Sequence, residues 1–241
     1  MQSLFNSYFE LVKTRIINST SFNSFGEDSI RYDFYYALMK EYGVKPHNII
    51  LEQAIPACQF VPKQREITNK QGRNEDKPEF DLRVDATESL KHGIICEFAY
   101  FRSPVKGTLD VSGAYGKILN EIHRLALLKN YENNPPIQDY KSFSDYRCLL
   151  ICVTDSIMLN YGSGKRGRKP TALILDNFKL NNSFLSQLPR GIVSRIDPKF
   201  RLKVESKNII PQASRIFNVQ ESTVSRDWGI WIWEVEFSIS N

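Results

Sequence analysis

The chain has 241 residues, with 32 Lys and Arg against 27 Asp and Glu for a formal net charge of +5. A hydrophobic content of 41% excludes an intrinsically disordered chain and suffices for one sizeable core. No apolar run nears the ~20 residues of a membrane-spanning helix, and the mild positive charge is compatible with nucleic acid without arguing for it.

Residues 4–18 place Leu4, Phe5, Tyr8, Phe9, Leu11, Val12 and Ile16 at helical spacing, and Glu10 inside the stretch argues against a signal peptide. Residues 27–42 form a second predicted helix, stopped by Gly43 and then Pro46, with Ile30, Phe34, Ala37 and Leu38 as its buried stripe. Residues 48–55 read as a strand, with Glu52 as a solvent-facing position or a further acid beside a metal. Residues 61–77 carry Arg65 and Arg73 among lysines without apolar periodicity. They read as a loop leading into the next strand, either solvated or folded over DNA. The four cysteines, Cys58, Cys96, Cys148 and Cys152, lack CxxC pairing, so reduced core thiols of a cytoplasmic protein are expected.

Residues 78–102 organise the rest. Phe80, Leu82 and Val84 alternate with Asp81, Arg83 and Asp85, the period of a half-buried strand, and residues 93–101 form a second strand rich in Ile, Phe and Tyr. An antiparallel hairpin centred near Ser89 sets Asp81 opposite Glu97 on one face, with Cβ atoms roughly 5 Å apart, and position 99 shares that face. Two carboxylates this close repel unless a positive charge sits between them, and a divalent ion with oxygen ligands satisfies that need.

Residues 109–131 give the longest helical pattern, with Ile118, Leu119, Ile122, Leu125 and Leu128 on one face. Lys117, His123, Arg124 and Lys129 are its basic members, expected mostly at the surface. His123 reads as a helix-surface or packing residue. Residues 146–154 are continuously apolar, as in a central strand covered on both faces. Residues 160–170 are the most basic stretch. Lys165, Arg166, Arg168 and Lys169 lie among glycines, which let a backbone approach a surface closely, and their charges neutralise phosphates. A DNA-contacting loop is expected there, with an ordinary solvated loop as the alternative. Residues 171–176, 201–205 and 229–238 read as strands, with Trp231 and Trp233 as core residues. The whole suggests an α/β fold: a mixed central sheet flanked by helices, with additional C-terminal strands. It is expected as a single domain, residues 1–155 its core and 156–241 a strand-and-loop region.

Pro78-Glu79-Phe80-Asp81, followed by Glu97-Phe98-Ala99 on the next strand, resembles the PD-(D/E)xK nuclease superfamily, typified by type II restriction endonucleases. The resemblance implies a restriction-endonuclease-like core and magnesium-dependent hydrolysis of DNA phosphodiesters. It implies Mg2+ held by Asp81, Glu97 and the Phe98 carbonyl, double-stranded DNA as partner, and further a homodimer and a companion DNA methyltransferase. Ala99 stands where the family carries its catalytic lysine. Either it replaces that lysine and inactivates the chain, or the amine has moved elsewhere, with Lys117 a candidate, or the site is degenerate, or Ala99 simply packs. Glu27, on the helix before the sheet, matches an acid that assists the metal in this superfamily; an acid favoured by the helix dipole explains it equally. A non-catalytic DNA-binding protein and a structure-specific repair nuclease are the alternative functions.

Overall fold

The computed structural model describes residues 1–19, 24–54, 79–102, 110–130, 143–155, 158, 177–222 and 227–240. Helices α1 (Gln2–Asn18) and α2 (Glu27–Tyr42) lead into a 3-10 turn and strand β1 (Ile49–Ala54). Strands β2 (Glu79–Val84) and β3 (Ile94–Phe101) form the hairpin. Helix α3 (Val111–Lys129) then crosses to β4 (Arg147–Asp155). The C-terminal part adds β5 (Phe178–Lys179), three short helices α4 (Asn182–Gln187), α5 (Arg190–Val193) and α6 (Pro198–Ser206), and the long strands β6 (Ile209–Ser222) and β7 (Asp227–Ile239).

The seven described strands join one mixed sheet in the order β1-β2-β3-β4-β7-β6-β5. Among the described residues, β3 and β4 make its parallel pair. The sheet is sandwiched between helical layers. Ile95, Ala99, Cys148, Leu150, Cys152, Trp231 and Trp233 pack with α3 and the short C-terminal helices. Ile94, Cys96, Phe98, Leu149, Ile151, Ile230 and Ile232 pack with α1 and α2 on the other side. Strands covered on both faces must be apolar at successive positions, which accounts for the unbroken run in β4. Trp231 and Trp233 are fully buried, as expected of core residues, and Cys96, Cys148 and Cys152 are buried free thiols.

Two glycines fix helix geometry. Gly43 ends α2 in the left-handed conformation, φ 61°, which glycine adopts without a Cβ clash. Gly116 lets Arg195 lie against α3: a Cβ there would stand 2.4 Å from the Arg195 Cβ.

The hairpin register matches the Ser89-centred expectation, with Leu82 paired to Cys96, Arg83 to Ile95 and Val84 to Ile94. Three expectations need correcting. Residues 201–205 are not sheet but lie in α6, where the Asp197 side chain caps Lys199 N and Pro198 occupies the first turn, both helix-start devices. The C-terminal part therefore carries helices as well as strands. The basic members of α3 are also not mostly superficial: His123 is buried, and Arg124 and Lys129 are largely covered. The strand expected at 171–176, and Cys58, lie outside the described residues. None of the described helices is long and apolar enough to cross a membrane.

Candidate active site

The ladder between β2 and β3 ends at Leu82 and Cys96. Beyond it, the β3 backbone loses a strand partner, and carboxylates take over. Asp81 Oδ2 accepts from Phe98 N at 2.7 Å, and Glu27 Oε2 accepts from Tyr100 N at 3.2 Å. A residue in extended conformation sends its N–H and C=O to the same edge, so the Phe98 carbonyl opens on the side that Asp81 occupies. On the other flank of β2, the β1 ladder skips the pairing of Glu52 with Asp81. Glu52 takes φ 52°, a left-handed conformation that costs a non-glycine residue about 1–2 kcal/mol. Local strain of this kind concentrates at sites with a task.

The acids are matched by cations from two helices. On α2, Arg31 lies one turn after Glu27, on the same face. It donates to Asp81 Oδ1 at 2.9 Å and to Glu52 Oε1 at 3.0 Å. On α3, Lys117, Glu121 and Arg124 fall at i, i+4 and i+7, one stripe of the helix. Lys117 Nζ donates to Glu27 Oε2 at 3.1 Å. One Arg124 terminal nitrogen pairs with Glu97 Oε2 and also lies 2.5 Å from Glu121 Oε2. The positive charge that opposed carboxylates require is thus supplied by guanidinium groups, Arg31 on Asp81 and Arg124 on Glu97.

Four inner carboxylates, Glu27, Asp81, Glu97 and Glu121, face three inner cations, Arg31, Lys117 and Arg124. Burial first, and the neighbouring carboxylates second, show in the titration behaviour. Burial pushes the Glu97 carboxyl well above the ordinary glutamate range; Arg124 opposes the rise, while Glu121 and Asp81 add to it. Glu121 is raised by burial in the same way, against the pull of Arg124 and Lys117. Burial disfavours the Lys117 charge, but Glu27, Glu121 and Asp81 outweigh it and hold the ammonium above its usual value. Lys117 is therefore a protonated donor at neutral pH, unsuited to serve as a base.

Whether these residues suit a metal turns on free oxygens. Among the described residues, no three His, Cys, Asp or Glu side chains are grouped to hold an ion. Magnesium asks for less, since it keeps several waters and takes one or two carboxylates. Glu97 is only 1% exposed, and its Oε1 has no hydrogen-bond partner. A buried acceptor left unmatched costs about 1–3 kcal/mol, and Asp81 is near enough to add to the rise in the Glu97 pKa. Both Asp81 oxygens already accept, from Arg31 and from Phe98 N, so a hard cation held by Asp81, Glu97 and the Phe98 carbonyl would take up the unmatched Glu97 oxygen and compete with Arg31 for Asp81.

Of the residues expected at the site, Asp81, Glu97, Phe98, Glu27 and Lys117 come together here. Ala99 is fully buried on the face it shares with α3, paired across the sheet with Cys152. Lys165, Arg166, Arg168, Lys169, Arg65 and Arg73 lie outside the described residues. Arg31, Glu121 and Arg124 were not anticipated, although the Lys117-Glu121-Arg124 spacing was a usable signal. His123 lies apart from the site, its Nδ1 donating to the Leu119 carbonyl at 2.8 Å. No family model matches the chain, and no curated protein or solved structure matches it.

Proposed function

We propose that this chain is a magnesium-dependent DNA endonuclease of restriction-enzyme type, in which Lys117 supplies the ammonium that Ala99 lacks. The observation that carries the reading is the opened β3 edge, where Asp81 takes the Phe98 N–H and Glu27 the Tyr100 N–H, with the Lys117 ammonium on Glu27 and a buried, unpartnered oxygen on Glu97 of the same strand. Asp81, Glu97 and the Phe98 carbonyl hold the cation. When bound, it offsets phosphate charge and lowers the pKa of its water. Water's oxygen joins phosphorus as the bond from phosphorus to one sugar oxygen breaks, and that oxygen takes up a proton. Lys117 donates to a phosphate oxygen as charge builds on it, and Glu27 fixes the ammonium in place. Arg31 holds the Asp81 carboxylate in one orientation. The basic stretch 165–169 supplies phosphate contacts, so DNA binding weakens steeply with salt.

Cleavage of duplex DNA with and without Mg2+, by the wild type and by Lys117→Met, tests this. Cleavage that needs both the ion and Lys117 supports it; a folded wild type inert on random duplexes, forks and junctions removes it. A second reading, a nuclease fold that binds DNA without cutting it, is favoured by the alanine at position 99 and by the guanidinium groups already on both carboxylates. It expects an inert wild type, and cleavage only after Ala99→Lys.

A further inference from the structure

The Glu97 carboxylate is held differently from two other arginine-paired acids of this fold. Two arginines away from the site grip their acids with the fork. Arg15 Nε and a terminal nitrogen reach Asp33 at 2.7 and 2.6 Å, and Arg147 grips Glu234 at 2.6 and 2.7 Å. Arg124 does otherwise. A single terminal nitrogen touches both Glu97 and Glu121, while its buried Nε has no partner and neither has Glu97 Oε1. A bidentate pair would satisfy both atoms. The end-on contact leaves Glu97 Oε1 unmatched, and gives Arg124 a second acceptor within reach, Glu121 Oε2, which makes no hydrogen bond of its own.

We propose that Arg124 is an exchangeable counter-ion: it neutralises Glu97 until a divalent cation arrives, then withdraws onto Glu121, one turn away on its own helix. This inference rests on the proposed cation site and adds to it a positioning pair, Arg124 and Glu121, that touches neither substrate nor reacting atoms. Glu121 is the residue that makes the exchange reversible, because the displaced guanidinium stays paired inside the protein.

Calorimetric titration of Ca2+ into the full chain, with Ca2+-dependent melting as a second readout, tests the exchange without any DNA. Arg124→Met removes the competing charge and is expected to bind Ca2+ at least tenfold more tightly than the wild type. Glu121→Gln removes the negative charge from Arg124's second acceptor and is expected to weaken binding about tenfold. That weakening should disappear when Glu121→Gln is made in the Arg124→Met background, since the acid acts through the arginine; independent effects would simply add. If Arg124→Met is unfolded without Ca2+ but folds with it, the exchange is supported. If it folds in neither condition, Glu121→Gln alone decides. Binding weakened by Arg124→Met and restored by Arg124→Lys, or unchanged in Glu121→Gln, overturns the exchange. Binding absent from the wild type and from Arg124→Met alike, or unaffected by Asp81→Asn, overturns the cation site itself.

Discussion

Lys117→Met separates a role in chemistry from a role in folding. The Lys117–Glu27 pair spans 3.1 Å, but its side chains are 41% and 32% exposed. Ion pairs so open to water contribute about 0.2–1 kcal/mol. For a chain of this size, each 1 kcal/mol moves the melting temperature by about 2–4 °C. The methionine keeps the apolar stem, so melting followed by circular dichroism should fall by no more than about 4 °C. Removal of one charged donor aimed at a developing oxyanion lowers turnover by about 10²–10³, or 2.7–4 kcal/mol. Plasmid cleavage under single-turnover conditions should therefore drop at least a hundredfold while the fold persists. Wild-type cleavage in this variant would refute the assignment of the ammonium. A melting drop far beyond 4 °C would show the pair to be structural.

Glu97→Gln should raise stability at neutral pH. The Glu97 pKa is raised on folding, so its stabilising share is complete below the unfolded value near 4.5 and is lost as pH climbs through the folded value. Urea midpoints of the wild type between pH 5 and 8 should decline relative to the variant; parallel curves would refute the surplus of buried negative charge. His123 has the opposite sign: burial, aided by Arg201, pushes it down to about 4, so its contribution is complete above 6.5 and is lost as pH falls toward 4. Its imidazole resonances should titrate with a midpoint about 4, and a midpoint near 6.5 would contradict its burial. Gly116→Ala should destabilise despite a helix-propensity gain of about 1 kcal/mol. Overpacking against the Arg195 Cβ costs about 1–3 kcal/mol, and a higher melting temperature would refute that close approach.

Much of this arrangement was legible before any coordinates, for reasons that differ by element. Helix α2 has the bounds expected, Glu27–Tyr42, because acids at its start and a left-handed Gly43 at its end are local signals. The hairpin register followed from strict alternation and a short turn, but its ladder stops at Leu82 and Cys96, one pair short of Asp81 and Glu97. Helix α6 was misread because Leu202 and Val204 alternate with charged residues as in a strand, whereas Leu202 is exposed and only Val204 is buried. Helices α4 and α5 hold too few apolar positions to show a period. Arg31 and Glu121 drew no reading from the sequence, and Arg124 was expected at the surface with most basic members of its helix. Only the packing of α2 and α3 on opposite faces of the sheet turns them inward, and that is a tertiary fact.

The position of β7 has a consequence for synthesis on the ribosome. This strand, the most C-terminal of those described, is not at a margin: it hydrogen-bonds to β4 along Cys148 to Asp155 and to β6 on its other side. Until it has left the exit tunnel, β4 presents an apolar nine-residue edge able to recruit a strand from a neighbouring nascent chain. A polypeptide cut after residue 155 should therefore depend on chaperones or precipitate, even though the acids of the candidate site all precede the cut.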